Sequence, residues 1–213
     1  MGKSQDKPVH ELLGGAHRSQ VRAYASYLFG DTPEETAALA REAVDLGLSA
    51  AKFGWGSFGQ DADNDVAHVR AAREALGDER ELMIDAGHAW DWQTALERAH
   101  LLAPFNPAWL EEPLSQDDRK GYAELCPQSP IPIAAGEGDV THWDFEDLIE
   151  RGLHWMAATE QGDLTEYCLR PSPLLRHLVK ELPPLINGYA QVPQGPGLGI
   201  ELNEDVVEEF RVR

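Results

Sequence analysis

Leu82-Met83-Ile84-Asp85 is a short apolar run that ends on a carboxylate. Two more such endings follow: Ala108-Trp109-Leu110-Glu111, and the run from Ile131 to Ala135 that leads through Gly136 to Glu137. The acidic ends lie 26 residues apart each time, from 85 to 111 and from 111 to 137. That interval fits one strand, one helix and their connections, so it predicts successive βα units and a parallel sheet.

Upstream the same cycle continues. Val21-Arg22-Ala23-Tyr24-Ala25-Ser26 reads as a first strand and Ala50-Ala51-Lys52-Phe53 as a second. Between them Thr32 is an N-cap, with Pro33 at the first helical position and Glu35 three residues after the cap. Leu39, Ala40, Ala43 and Leu46 form the apolar stripe of that helix, and Gly47 ends it. Val66, Val69, Ala72 and Leu76 mark a second helix closed by Gly77. Trp92, Ala95, Leu96, Ala99 and Leu102 mark a third. Downstream, Leu153-His154-Trp155-Met156 is the expected sixth strand.

After about Thr165 the rhythm fails. Pro171, Pro173, Pro183, Pro184, Pro193 and Pro196 crowd the rest, leaving one helical stretch (174–180) and one short strand (189–192). The expected fold is therefore an α/β, TIM-type (β/α) barrel that is incomplete, with about six βα units. The 213 residues fall short of the about 250 of a full eight-unit barrel. The expected divisions are a junction segment (1–17), barrel units with the site (18–170) and a Pro-rich tail (171–213). An open barrel leaves two strand edges unpaired, which favours association, and a homo-oligomer is expected.

In a parallel barrel the strand C-termini converge on one face, and that face carries the chemistry. Asp85, Glu111 and Glu137 gathered there would repel one another unless a cation sat between them. Hard oxygen ligands suit Mg²⁺, with Mn²⁺ as the alternative. A helix cap or a solvated charge would explain any one of the three by itself; the equal spacing is what argues for a site.

Three segments carry a resemblance: Ile84-Asp85-Ala86-Gly87, Trp109-Leu110-Glu111-Glu112-Pro113 and Ala134-Ala135-Gly136-Glu137. In order and spacing they resemble the metal-ligand motifs of the enolase superfamily, mandelate racemase/muconate lactonizing enzyme subgroup. Lys7 to Gly15 is similar to that family's junction between capping domain and barrel, and Pro196-Gly197-Leu198-Gly199-Ile200 to its C-terminal tail. The resemblance implies a capping domain that is largely absent from this sequence. It also implies Mg²⁺-dependent removal of the proton α to a carboxylate, leading to dehydration or racemisation of a sugar acid or other hydroxy acid.

The family commonly has Lys-x-Lys at the second strand. Lys52-Phe53-Gly54 keeps the first lysine, which in the family contacts the substrate carboxylate, and has glycine at the second, often the base. Lys52 is thus a candidate for binding that carboxylate or for proton transfer, against the plainer role of counter-charge. The family's other base is a histidine supported by an aspartate. Where the aspartate is expected the sequence has Ala157-Ala158-Thr159, and the histidine's strand is not visible. His154, His142 and His177 are better read as structural or solvated. His88, three residues after Asp85, is the histidine near the expected mouth and the second catalytic candidate. Glu112 is expected to point away from Glu111 and form a structural ion pair. Gly54-Trp55-Gly56-Ser57-Phe58-Gly59 is expected to be a flexible loop at the mouth, and Trp90-Asp91-Trp92 to serve packing. The losses at Gly54 and 157–159 favour an alternative: a catalytically inactive remnant that still binds metal. A third reading is an unrelated β/α protein with coincidental carboxylates.

Composition narrows the partners. With 37 acidic and 18 basic residues the net charge is −19, which repels nucleic acid and anionic membrane surfaces. Cys126 and Cys168 form neither a disulfide framework nor a metal-ligand pattern. No apolar stretch approaches a membrane span or a secretory signal, and a cytoplasmic location is expected. The partner that the resemblance implies is a small carboxylate, a sugar acid or hydroxy acid.

Overall fold

The computed structural model describes residues 2–12, 20–138, 164–169, 177, 180–181, 184–191, 194–196 and 201–209. The expected sixth strand at 153–156, the 157–159 stretch, His142, His154 and most of the 174–180 helix lie outside them.

Two single-turn helices, α1 (Gly2–Gln5) and α2 (Val9–Leu12), precede the sheet. The cycle then runs β1 (Gln20–Leu28), α3 (Pro33–Asp45), β2 (Ala50–Gly54), α4 (Ala62–Leu76), β3 (Glu81–Asp85), α5 (Trp92–Leu102), β4 (Trp109–Glu111), α6 (Arg119–Leu125) and β5 (Ile133–Ala134). Later come β6 (Leu164–Cys168), the pair β7 (Leu185–Ile186) and β8 (Tyr189–Gln191), and a short helix α7 (Glu204–Glu209). Strands β1 to β5 lie side by side in chain order and parallel. β6 also pairs β1 in parallel, from Arg22↔Leu164 to Ser26↔Cys168, while β8 adds an antiparallel pairing at Gln20–Arg22. Six of these elements, α1, α2, α6, β6, β7 and α7, were not anticipated from the sequence.

Side-chain caps set the helix starts. Thr32, Asp61, Asp91 and Asp118 accept the backbone N–H of Glu35, Asn64, Thr94 and Gly121 respectively. At the far end of the units the Arg73 guanidinium donates to four carbonyls, those of Phe105, Gly77, Arg80 and Asn106, at 2.7–3.0 Å. A buried cation is tolerated there because its donors are so fully used.

Strand alternation divides the side chains between two faces. Ala23, Ala25, Tyr27, Ala51, Phe53, Leu82, Ile84 and Leu110 join the core formed with the helices. The other face carries Tyr24, Ala50 and Met83 in a small apolar cluster with Ala108 and Trp109 packed on it. Further along that second face come Lys52, Gly54, Asp85 and Glu111. The pairing register aligns Gly54 with Asp85 and Asp85 with Glu111.

β2 and β3 approach closely where the register meets Asp85. A Cβ built on Gly54 would lie 2.6 Å from Asp85 Cβ and 2.9 Å from Asp85 O. A side chain at 54 therefore requires the strands to move.

The loop after β2 is tied down through a buried histidine. His68 is fully buried, with Nδ1 2.8 Å from Thr36 Oγ1 and Nε2 3.1 Å from Ser57 Oγ. Ser57 donates to Gly30 O and so accepts from Nε2–H, while Thr36 accepts from Gly30 N and donates to Nδ1. Every donor in this ring of bonds is used when the imidazole is neutral. Trp90 Nε1 to Gly59 O (2.7 Å), Gly59 N to Asp65 Oδ1 (2.8 Å) and Asn64 Nδ2 to Ser57 O (3.2 Å) fasten the same loop. Five hydrogen bonds thus hold a segment expected to be flexible, and Trp90 packs on Phe58, as its expected packing role requires.

Two outcomes follow from this packing. Burial holds the His68 pKa below its ordinary value, against a smaller opposing pull from Glu34. The unfolded chain binds the proton near pH 6.5 and the folded chain only lower, so this group's contribution is full above about pH 6.5 and is lost as pH falls. Urea unfolding of wild type and His68→Gln from about pH 7 to 5 should show the difference between them shrinking; a constant difference would contradict the neutral network. Gly54→Ala should lose about 1–3 kcal/mol in the same assay through overpacking, whereas unchanged stability would mean the strands give freely.

Candidate active site at the strand ends

Asp85 and Glu111 are neighbours on adjacent parallel strands, and like charges so placed repel. Lys52, on β2 and on the same face, rises between them. Its Nζ lies 2.8 Å from Glu111 Oε1 and 3.4 Å from Asp85 Oδ2, and the three side chains are only 8–16% exposed. Burial alone would lower the Lys52 pKa, but the hydrogen bond to Glu111 and the charges of Glu111, Tyr24 and Asp85 outweigh it and hold the ammonium above its ordinary value. Lys52 is therefore protonated in this arrangement and acts as the cluster's counter-charge.

The remaining carboxylate oxygens are also held. Gly87 N donates to Asp85 Oδ1 (3.0 Å), and Trp109 Nε1 donates to Glu111 Oε2 (2.9 Å). Glu137, beyond β5, is exposed; what burial it has raises its carboxyl pKa, and Glu112, Asp85 and Glu111 raise it further while Lys52 lowers it. The structure thus brings Asp85 and Glu111 together through Lys52, whereas the described ligand atoms that Glu137 joins within 4.8 Å are those of His88 and Glu112.

A cleft of about 520 Å³ opens over Asp85 and Glu137, lined also by Lys52, Gly54 and Trp55 and by the β1 end from Ser26 to Phe29. Trp55, half exposed and at φ +57°, forms one wall. It lies against Gly87, where an added Cβ would fall 2.9 Å from the indole.

Behind this row sits a second constellation. The backbone leaves β4 at Glu112 with φ +43°, uncommon for that residue type, and turns at His88 with φ +63°, which histidine tolerates better than most. Glu112 is 2% exposed and its Oε1 accepts from Gly136 N (2.7 Å) and Glu137 N (3.2 Å). Its Oε2 lies 2.8 Å from His88 Nε2. The sequence reading anticipated an ion pair for Glu112 but not its partner. Nor did it anticipate the role of Glu112 in holding the loop that carries Glu137. Ligand atoms of His88, Glu112 and Glu137 all lie within 4.8 Å of one another.

Among the described residues no helix is long and apolar enough to cross a membrane. The chain matches the family described as Enolase C-terminal domain-like over residues 35–153 and 151–206. It is 28% identical to D-galactarolactone cycloisomerase of Agrobacterium fabrum over 99% of this chain and 70% of that protein. It is 37% identical to L-talarate/galactarate dehydratase of Salmonella typhimurium over 67% of this chain and 35% of that protein. In fold it is similar to the 3,6-anhydro-D-galactonate cycloisomerase of Zobellia galactanivorans, with a TM-score of 0.87 at 24% identity, over 100% of this chain and 72% of that one. A family match across most of the sequence, together with a parallel sheet bearing acidic strand ends, leads to one conclusion: the chain belongs to the enolase superfamily, in its mandelate racemase/muconate lactonizing enzyme subgroup.

Proposed function

We propose that this chain removes the proton α to the carboxylate of a sugar acid, as a dehydratase or cycloisomerase-like lyase or isomerase, with Asp85, Glu111 and Glu137 holding Mg²⁺ or Mn²⁺ at the mouth of a barrel-type sheet. The observation that carries this reading is the Lys52 ammonium seated between Asp85 and Glu111. Two buried carboxylates in register have recruited the nearest positive charge, and a third rises in pKa beside them. A hard divalent cation fits that donor set better than one ammonium does, since it neutralises more charge with all-oxygen ligands. When bound, such an ion stabilises the negative charge that develops on a substrate carboxylate as the α-proton leaves.

The chain's own residues define the rest. With the carboxylates otherwise neutralised, Lys52 would be free to face the cleft that it lines, where its charge would bind the substrate carboxylate. Trp55 and the β1 end from Ser26 to Phe29 bound the space the substrate fills and exclude water from one side. The sugar-acid class is supported by the dehydratase and cycloisomerase names of the relatives.

Gly54 favours a second reading. Where the family commonly places a basic lysine, the close approach of Asp85 leaves no space for a side chain. The chain would then be a metal-binding remnant without proton transfer. Incubation with Mg²⁺ and a panel of sugar acids in D₂O, followed by NMR, separates the two. Exchange of the α-proton, abolished by Glu111→Gln, is the expected result; Mg²⁺ binding without exchange of any acid would favour the remnant.

Lys52→Met tests the cation position itself. Loss of the ammonium leaves buried carboxylates unpaired and should cost about 3–5 kcal/mol in the absence of divalent ions. Mg²⁺ should restore more stability to this variant than it adds to wild type, where a hundredfold excess over Kd adds about 2.7 kcal/mol. Equal Mg²⁺ shifts in thermal melts of both proteins would separate Lys52 from the cation site.

A further inference from the structure

Behind the row of Asp85 and Glu111, the His88–Glu112 pair is built in a way that a simple ion pair does not explain. His88 Nδ1 lies 2.8 Å from Leu114 O, a group that can only accept, so Nδ1 carries a proton and Nε2 is the ring's other face. The buried Tyr122 hydroxyl donates to the same carbonyl at 3.0 Å, fixing its position. A histidine that donates one N–H to a backbone carbonyl and presents the opposite nitrogen is oriented as metal-ligating histidines are.

Nε2 is 2.8 Å from Glu112 Oε2, yet that oxygen has no hydrogen-bond partner, although the side chain is 3% exposed. The two atoms touch without the alignment a hydrogen bond requires. A buried carboxylate oxygen left this way is costly unless something else engages it. Glu137 brings a third ligand atom to within 4.8 Å of both, from the exposed side. The His88 side chain is 31% exposed, so an ion and its water can enter there.

We infer that His88 Nε2, Glu112 and Glu137 form a second divalent-cation site, distinct from the all-oxygen site of Asp85 and Glu111 although Glu137 belongs to both. One imidazole and two carboxylates suit a borderline ion such as Zn²⁺ or Co²⁺ rather than Mg²⁺. Glu112 is the fixed member, since its other oxygen is bound to the N–H groups of Gly136 and Glu137. An ion there would couple the β3 loop to the loop that presents Glu137.

Co²⁺ is the probe, with the full chain, visible absorption reporting its ligands and calorimetry its affinity. Wild type should take up Co²⁺ with a ligand-field band. His88→Ala should lose the band and weaken binding by more than the roughly 10–100-fold that loss of a supporting group costs. The double variant Asp85→Asn/Glu111→Gln should keep the band while losing the Mg²⁺-dependent gain in melting temperature, which distinguishes this site from the one proposed above. Glu112→Gln should behave as His88→Ala if it folds; His88, being partly exposed, decides the matter if it does not. Unchanged Co²⁺ binding in His88→Ala, or loss of the band in the double variant, would overturn the inference and leave an ion pair only.

Discussion

Two carboxylates held in register on adjacent buried strands cannot be left uncompensated. In water the repulsion between Asp85 and Glu111 would be slight, but at the end of a packed sheet, with side chains 9% and 16% exposed, solvent screens it far less. Lys52 answers that constraint. Its position follows from strand geometry: it is two residues before Gly54, so it points to the same face, and Gly54 is the register partner of Asp85. The absence of a side chain at 54 is part of the same arrangement, because it lets β2 and β3 close up where the charges meet.

The scaffold around this row is rigid where rigidity serves it. The His68, Thr36 and Ser57 bonds join the turn after β1, helices α3 and α4, and the loop that carries Trp55. Glu112 performs a similar duty for the loop of Glu137. A strained backbone at His88, Glu112 and Trp55 persists because these neighbours fix it, and strain of this kind gathers at functional sites. Gly54 and the glutamate row therefore pull in different directions: the geometry suits a cation, while the usual place of a second lysine is closed.

Much of this was legible in the sequence because its signals are local. Thr32-Pro33 and Gly47 bracket α3, and alternation places Lys52, Asp85 and Glu111 on one face; each inference needs only a dozen residues. The strand β6 was not legible. Leu164-Thr165-Glu166-Tyr167-Cys168 has no strong apolar run, and its partner β1 lies at the other end of the chain. Helix α6 was obscured by Gly121 in its first turn, although Asp118 was a usable cap signal. The pairing of His88 with Glu112 depends on two left-handed backbone positions that the sequence does not mark, since neither is glycine. Trp109 as a donor to Glu111 was likewise hidden, because its residue type argues for packing.

The most direct measurement is anomalous diffraction from crystals soaked in Mn²⁺. The account predicts a peak bounded by Asp85, Glu111 and Glu137, with the Lys52 ammonium moved off Glu111 into the cleft. An absence of density between those carboxylates, with Lys52 still hydrogen-bonded to Glu111, would contradict it.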